Sequence, residues 1–429
     1  MNIKTLAIAA AAVMTAGAAQ AADLGKPVKA AVDYVKICDA YGAGFFYIPG
    51  SDTCLQISGY ARASFLAGSS TSIVRGATSP LGFSSSNRAS STWGTATEIE
   101  LDFDARTNTD FGLLRSYISI EADFNSVVGN KNIDMNRGYI QWGGLTAGNT
   151  ETFFTHYTGD ADGLAYGEVA PDYHTNVLAY TFAFGNGVTA TLSVEDSTIG
   201  NRNNGPTFTT TLNGVTTTNA AGIYGGNHTP DVVAQLAVTQ AWGSAQLSAG
   251  IHESYNNGTP VNGTKEGYGV LGYVGFNLPS IGAGDKIDIQ ASWSRGALSW
   301  VNSQFWNAGF AGDAVVFANG TVKQSDAWGV GVGFVHNFSS TVFVELEGGV
   351  SGVTGYGWSP NGNGIVKNDT FTQYDAALSL GWKPVKGLTL TGDVEYRGVD
   401  FSSTTKNDSP ILSKDASAWI VGVRVLRNF

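Results

Sequence analysis

Residues 98–106 read Glu98-Ile99-Glu100-Leu101-Asp102-Phe103-Asp104-Ala105-Arg106. Side chains of an extended strand point alternately to its two faces, so Ile99, Leu101, Phe103 and Ala105 share one face and five charged residues share the other. No core accepts the charged face, which must meet water. The apolar face has two possible homes: the core of a soluble sheet, or the lipid around an outer-membrane barrel.

The rest of the chain decides between these homes. Leu55, Ile57, Gly59, Ala61, Ala63 and Phe65 oppose Gln56, Ser58, Tyr60, Arg62 and Ser64, again with a period of two. At the end of the chain Trp419, Val421, Val423, Val425 and Phe429 oppose Arg424 and Asn428. The same alternation runs through 114–124, 188–195, 286–293, 342–347 and 388–397, and the apolar faces carry almost no charge, as lipid contact demands. Connections alternate in length as well. Short links at 107–110, 185–187, 242–243, 338–340 and 383–386 are separated by long polar stretches at 67–95, 196–230, 296–324, 352–370 and 400–415. Aromatics near strand ends, among them Trp142, Phe184, Trp242, Phe276, Phe338, Trp382, Tyr396 and Phe429, suit an interfacial girdle. The expected fold is all-β: a 16-stranded antiparallel transmembrane β-barrel from Leu55 to Phe429, with short periplasmic turns and long extracellular loops. Gly143-Gly144 is the expected turn within the pair of strands around residues 135–148. The last strand is expected to pair with the first, leaving no open edge.

Composition and the N-terminus agree. Fifty-six glycines with 11% aromatics suit many strands joined by turns, and no long apolar run follows residue 21, which excludes a helical membrane protein. Met1-Asn2-Ile3-Lys4, the apolar stretch 6–19 and the small-x-small triplet Ala19-Gln20-Ala21 make residues 1–21 a secretory signal peptide, with the mature chain beginning at Ala22. About 14 apolar residues are too few to span a bilayer. Losing Lys4 takes the formal charge from −11 to −12, and no block of Lys or Arg appears, so nucleic acid is not an expected partner. Residues 22–54 precede the barrel, 55–429, and hold both cysteines, Cys38 and Cys54. In an exported chain these are expected to form a disulfide, closing a loop of roughly 15 residues and stabilising it by about 3 kcal/mol.

One long segment has a different character. Residues 149–175 carry Glu151, Asp160, Asp162, Glu168 and Asp172 with no Lys or Arg, together with the aromatics Phe153, Phe154, Tyr157 and Tyr166. A loop in open solvent needs no such apolar anchors, whereas one folded back into a barrel does. Inward positions of early and late strands offer Arg62, Arg106, Arg115, Arg137, Arg397 and Arg424. Acid facing base across a narrow waist would set up a transverse field and orient polar solutes. The competing reading has the carboxylates on a solvated loop and the arginines paired on the wall with Glu100, Glu121 or Asp393.

Three stretches resemble the general porins of alphaproteobacterial outer membranes. They are Tyr34-Val35-Lys36-Ile37-Cys38-Asp39-Ala40-Tyr41-Gly42-Ala43-Gly44-Phe45-Phe46-Tyr47-Ile48-Pro49-Gly50 with Asp52-Thr53-Cys54-Leu55; Arg137-Gly138-Tyr139-Ile140-Gln141-Trp142-Gly143-Gly144-Leu145-Thr146-Ala147-Gly148; and Val421-Gly422-Val423-Arg424-Val425-Leu426-Arg427-Asn428-Phe429. The resemblance implies a homotrimeric barrel set among outer-membrane lipid and lipopolysaccharide, passing small hydrophilic solutes and ions, with the third long loop narrowing the pore. It also implies that Phe429 is an assembly signal for the barrel-assembly machinery. Arg427 departs from the apolar residue usual at its position; its long stem lets the charge reach the interface.

Chemical motifs are weak by comparison. Gly267-Tyr268-Gly269-Val270-Leu271-Gly272 matches the spacing of a dinucleotide loop, but Tyr273-Val274-Gly275-Phe276 continues as strand where a helix is required. His156, His174, His228, His252 and His336 lack metal-ligand spacing, so neither cofactor nor metal is expected. No nucleophile elbow appears. The expected function is therefore passive diffusion and not enzymatic catalysis, with a substrate-specific channel, an adhesin or a barrel hydrolase as the alternatives.

Overall fold

The computed structural model describes residues 36–68, 93–125, 130–156, 174–198, 207–212, 215–220, 223–224, 228–257, 263–302, 312–316, 319–358, 365–401 and 416–429. The expected signal peptide, residues 1–21, and the expected mature N-terminus at Ala22 lie outside them. Sixteen strands among these residues form the wall: β1 (Cys54–Gly68), β2 (Trp93–Thr109), β3 (Gly112–Asn125), β4 (Asn130–Trp142), β5 (Leu145–Glu151), β6 (His174–Gly185), β7 (Val188–Glu195) and β8 (Asp231–Gln240) make the first half. The second half is β9 (Gly243–Asn257), β10 (Gly263–Asn277), β11 (Lys286–Arg295), β12 (Asp326–Asn337), β13 (Val342–Trp358), β14 (Ile365–Val385), β15 (Leu388–Phe401) and β16 (Ala416–Asn428). Each pairs antiparallel with the next, and β16 returns to β1 from Tyr60 opposite Asn428 to Gly68 opposite Ile420, which closes the ring.

Parity follows the expectation. On β3 Ile118 and Ile120 are exposed at 47% and 39% while Ser119 between them is fully buried. On β2 Ile99 is exposed and Glu100 and Asp104 are buried. A closed belt of outward apolar side chains of this extent is untenable in water and stable in lipid.

Tight turns at 110–111, 143–144, 186–187, 241–242 and 386–387 gather at one end. The expected Gly143-Gly144 turn joins β4 to β5, with Trp142 opposite Leu145 and Gly143 at φ 57°, a conformation that favours glycine. Aromatic pairs line this end: Phe111 lies against Trp142 at 5.9 Å and Trp242 against Phe276 at 5.6 Å. Tyr396 belongs to the opposite rim, 4.9 Å from Trp419. Arg427 sits at the tight-turn end, where its Nη1 donates to the Gly387 carbonyl at 3.2 Å and to that of Asn428.

The expected long connection at 352–370 is shorter than its composition suggests. Backbone pairing of β13 with β14 continues past the wall to Trp358 opposite Ile365, because aromatic and β-branched residues keep the ladder going. Before β1, the short strand Phe46–Tyr47 pairs with Leu55 and Cys54, and the structure contains the Cys38–Cys54 disulfide, buried with Phe45.

Val330, in the middle of β12 and exposed at 44%, tests the outward face. Val330→Arg is expected to destabilise the barrel by about 2–4 kcal/mol in urea unfolding from lipid vesicles. An unchanged unfolding midpoint would mean that this face does not meet lipid.

Candidate functional site

The inner wall inherits its chemistry from strand parity and register. Arg397, Arg424, Arg62, Arg106, Arg115 and Arg137 stand one each on β15, β16, β1, β2, β3 and β4, six consecutive strands of the ring. The structure thus brings together all six arginines singled out in the sequence. Their partners are neighbours on the wall. Arg106 reaches Asp104 through Nε at 3.0 Å and Nη2 at 2.7 Å, and Arg115 reaches the same carboxylate through Nε at 3.0 Å and Nη2 at 2.9 Å. One buried carboxylate is therefore gripped by two guanidinium forks, which uses all of its lone-pair directions. Arg115 also donates to Gln141 at 3.1 Å and lies over Tyr117 and Tyr139, which stack on each other.

Elsewhere Arg62 and the Tyr60 hydroxyl both donate to Glu98, the residue directly opposite Arg62 on β2. Arg397 bonds Glu395 two residues away, through Nε at 2.8 Å and Nη2 at 2.7 Å. Arg424, buried, approaches Ser64 at 3.4 Å. Glu98, Asp104 and Glu395 are brought to these arginines by register and by the i, i+2 spacing. Glu100 accepts from Asn136 at 2.6 Å. The wall is a ladder of mixed charge and not a purely basic surface.

Of the acidic residues in 149–175, Glu151 is described, while Asp160, Asp162, Glu168 and Asp172 lie outside the described residues. Glu151 is the last residue of β5 and is exposed there; it bonds Arg137 of the adjoining strand and lies 3.9 Å from His174 Nε2. It does not face the arginines across the lumen. The chain enters the barrel immediately after it. Thr152 Oγ1 donates to Glu195 at 2.6 Å and the Phe153 N–H to the same carboxylate at 3.0 Å. Gln235 and Ser248 donate to the Phe153 carbonyl at 2.9 and 3.2 Å, and Gln246 to that of Thr155 at 3.1 Å. Phe154 is fully buried, and His156 stacks on Tyr273 at 3.4 Å. Burial holds the His156 pKa below its usual value, which favours the neutral ring.

Residues 152–156 are thus pinned to the inner faces of β7, β8, β9 and β10. In a ring of sixteen, β9 lies halfway round from β1, so this anchorage stands opposite the arginine strands. The aromatics Phe153 and Phe154 were legible as anchors. Their receivers Glu195, Gln235, Gln246 and Ser248 were not singled out, although each sits at an inward, polar position of its strand. Nor were Leu298, Trp300 and Val301, which are buried inside the barrel although they begin a connection read as polar.

The sequence pattern of the Porin subfamily matches residues 26–421. The chain belongs to the porin family. Porin Omp2b of Brucella canis and of Brucella abortus are each 34% identical over 260 residues, a match spanning 57% of this porin and 64% of those relatives. Among solved structures, the outer membrane channel DcaP of Acinetobacter baumannii superposes with a TM-score of 0.64 at 15% identity, covering 89% of this chain and 99% of that one. Pseudomonas putida OprB follows at 0.50 and 10%, covering 87% and 94%. At such identities the likeness speaks for the fold. This porin is a β-barrel protein of a bacterial outer membrane. Gly267, Gly269 and Gly272 lie within β10, in keeping with a wall strand and not a nucleotide loop.

Asp104→Asn would leave two guanidinium groups facing an amide that can accept on one oxygen only. In a salt gradient its reversal potential is expected to shift toward anion preference relative to wild type. No shift would mean that this clamp lies off the ion path.

Proposed function

We propose that this porin is a passive diffusion channel for small hydrophilic solutes and ions, with a water-filled lumen narrowed by the loop 149–175 opposite the arginine ladder. The observation that carries this reading is the path of residues 152–156. Side chains of four successive wall strands are spent on holding five loop residues inside the barrel. An unsatisfied buried group costs about 1–3 kcal/mol, so a wall that supplies every one of these partners is suited to receive the loop. Asp160, Asp162, Glu168 and Asp172 are the acidic side of the constriction in this reading, and Arg62, Arg106, Arg115, Arg137, Arg397 and Arg424 the basic side, with Glu151 paired to Arg137 where the loop leaves the wall. Solutes would cross by diffusion, oriented by the field between charges of opposite sign, with no covalent step.

The net charge of −11 and the acidic loop favour a modest cation preference. The outward apolar belt suits lipid, lipopolysaccharide at the long-loop rim and, over part of its circumference, two further copies of the chain in a homotrimer. Cleavage after Ala21 precedes assembly in this scheme, and the exposed Phe429, whose N–H bonds the Gly59 carbonyl at 3.1 Å, is the feature offered to the barrel-assembly machinery.

Planar-bilayer recording of the purified protein tests the reading. Conductance in triple steps with a cation-selective reversal potential is expected, and lipid hydrolysis without conductance would overturn the channel. Neutralising Glu151, Asp160, Asp162, Glu168 and Asp172 together is expected to reduce cation selectivity. Unchanged selectivity in intact trimers would remove the loop from the constriction.

A further inference from the structure

A second connection also enters the lumen. After β11 the chain turns at Gly296, whose carbonyl accepts from Ser254 Oγ at 2.8 Å and whose N–H donates to the Ser325 carbonyl at 2.8 Å. One 3-10 turn follows, Leu298–Trp300, entirely buried, with the Leu298 N–H donating to Asp313 Oδ1 at 2.7 Å. Asp313 is in turn 4.0 Å from His252 Nε2 on β9. Two residues past the turn, Asn302 Nδ2 reaches Ser351 Oγ on β13 at 3.2 Å and Gln373 Oε1 on β14 at 3.5 Å. Residues 296–302 therefore bridge the inside of the barrel from β9 and β10 to β13 and β14.

Trp300 is the centre of this bridge. Its ring stacks on Phe154 of the third long loop, with centroids 4.5 Å apart and planes at 17°. It also lies on a platform without side chains. Gly250 of β9 and Gly269 of β10 are direct cross-strand partners, both at inward positions. A Cβ at Gly250 would stand 2.5 Å from Trp300 Cη2, and one at Gly269 would stand 2.8 Å from Trp300 Cε3. Gly267 is in the same position toward the incoming Gly296 carbonyl, whereas a Cβ at Gly272, which points outward, meets nothing within 4 Å. The two inward glycines of the 267–272 run thus have a physical reason: they make room for the loop that follows β11.

We propose that Trp300 is a positioning residue for the pore: wedged between the Gly250/Gly269 platform and Phe154, it holds the third loop against the wall, so that two loops together set the width of the channel. The proposal rests on the reading that the third loop narrows the lumen. Trp300 acts through Phe154 and need not touch the solute. An aromatic stack of this kind has defined geometry and large contact area, which suits a prop more than a flexible tether.

The test compares Trp300→Ala, Trp300→Phe, Gly269→Val and Gly272→Ala by single-channel recording, by liposome swelling with sugars of graded size, and by heat-modifiable gel mobility as a check on barrel folding. Trp300→Ala and Gly269→Val are expected to raise the sugar size limit and the open-channel noise while the barrel stays folded. Gly269→Val does so with Trp300 still present, by pushing the ring off its seat. Trp300→Phe is expected to restore most of the wild-type limit, and Gly272→Ala to match wild type. Folded Trp300→Ala and Gly269→Val barrels with wild-type size limit and noise would overturn the wedge. Loss of folding in both would also overturn it, by making Trp300 a folding element. A wild-type protein that conducts, with selectivity sensitive to the acidic loop, isolates a failure of the wedge from a failure of the channel reading.

Discussion

In hydrocarbon no water is available to satisfy a peptide group, so every backbone N–H and C=O in the wall must find a partner on a neighbouring strand. The pairing of β16 with β1 is what makes this possible here, because a sheet of fifteen paired seams with two free edges would leave two rows of unsatisfied groups in lipid. Closure has a second consequence. Once the ring is sealed, a slip of one residue at any seam would turn a whole strand inside out, placing residues such as Glu98, Glu100, Asp102 and Asp104 in lipid. Register is therefore held by charge on the inside as much as by hydrogen bonds along the strands.

The inside tolerates these charges because they are paired locally before they act over distance. Asp104 accepts from four N–H groups of Arg106 and Arg115, which fixes both guanidinium planes against the wall. Glu98 does the same for Arg62 with help from Tyr60. Such pairs contribute little net stability where water has access. Their effect is geometric: long, mobile side chains become a surface of definite shape, and that shape bounds the lumen on the side opposite residues 152–156.

Much of the fold was legible because lipid and water impose a period of two that composition cannot disguise. Ile99 to Ala105 against Glu98 to Arg106, and Val421 to Val425 against Arg424, gave strand, face and membrane at once. The Gly143-Gly144 turn was legible because glycine, lacking a β-carbon, adopts φ 57° at no steric cost. The site was legible in residue type and not in pairing. Arg62 meets Glu98 at a separation of 36 residues, a contact set by register between β1 and β2, and register is a property of two strands together. Glu151 was grouped with the loop because nothing in its neighbours marks the last strand residue, and the ladder to His174 ends there.

The inward loops were harder to read for a different reason. A strand buries alternate residues, so its pattern repeats, whereas a loop crossing a lumen buries whatever points at the wall. Phe153 and Phe154 stood out because two aromatics in an acidic segment need an explanation. Leu298, Trp300 and Val301 were diluted by a long stretch of mixed composition, and what marks their destination lies elsewhere in the sequence, in Gly250 and Gly269. A glycine at an inward strand position contributes no side chain to the wall and weakens the strand; it is retained where another part of the molecule must come close. The Gly267 to Gly272 run resembles a phosphate cradle for the same physical reason that it is not one: both uses need backbone laid bare, and here what approaches is the carbonyl of Gly296 and the ring of Trp300.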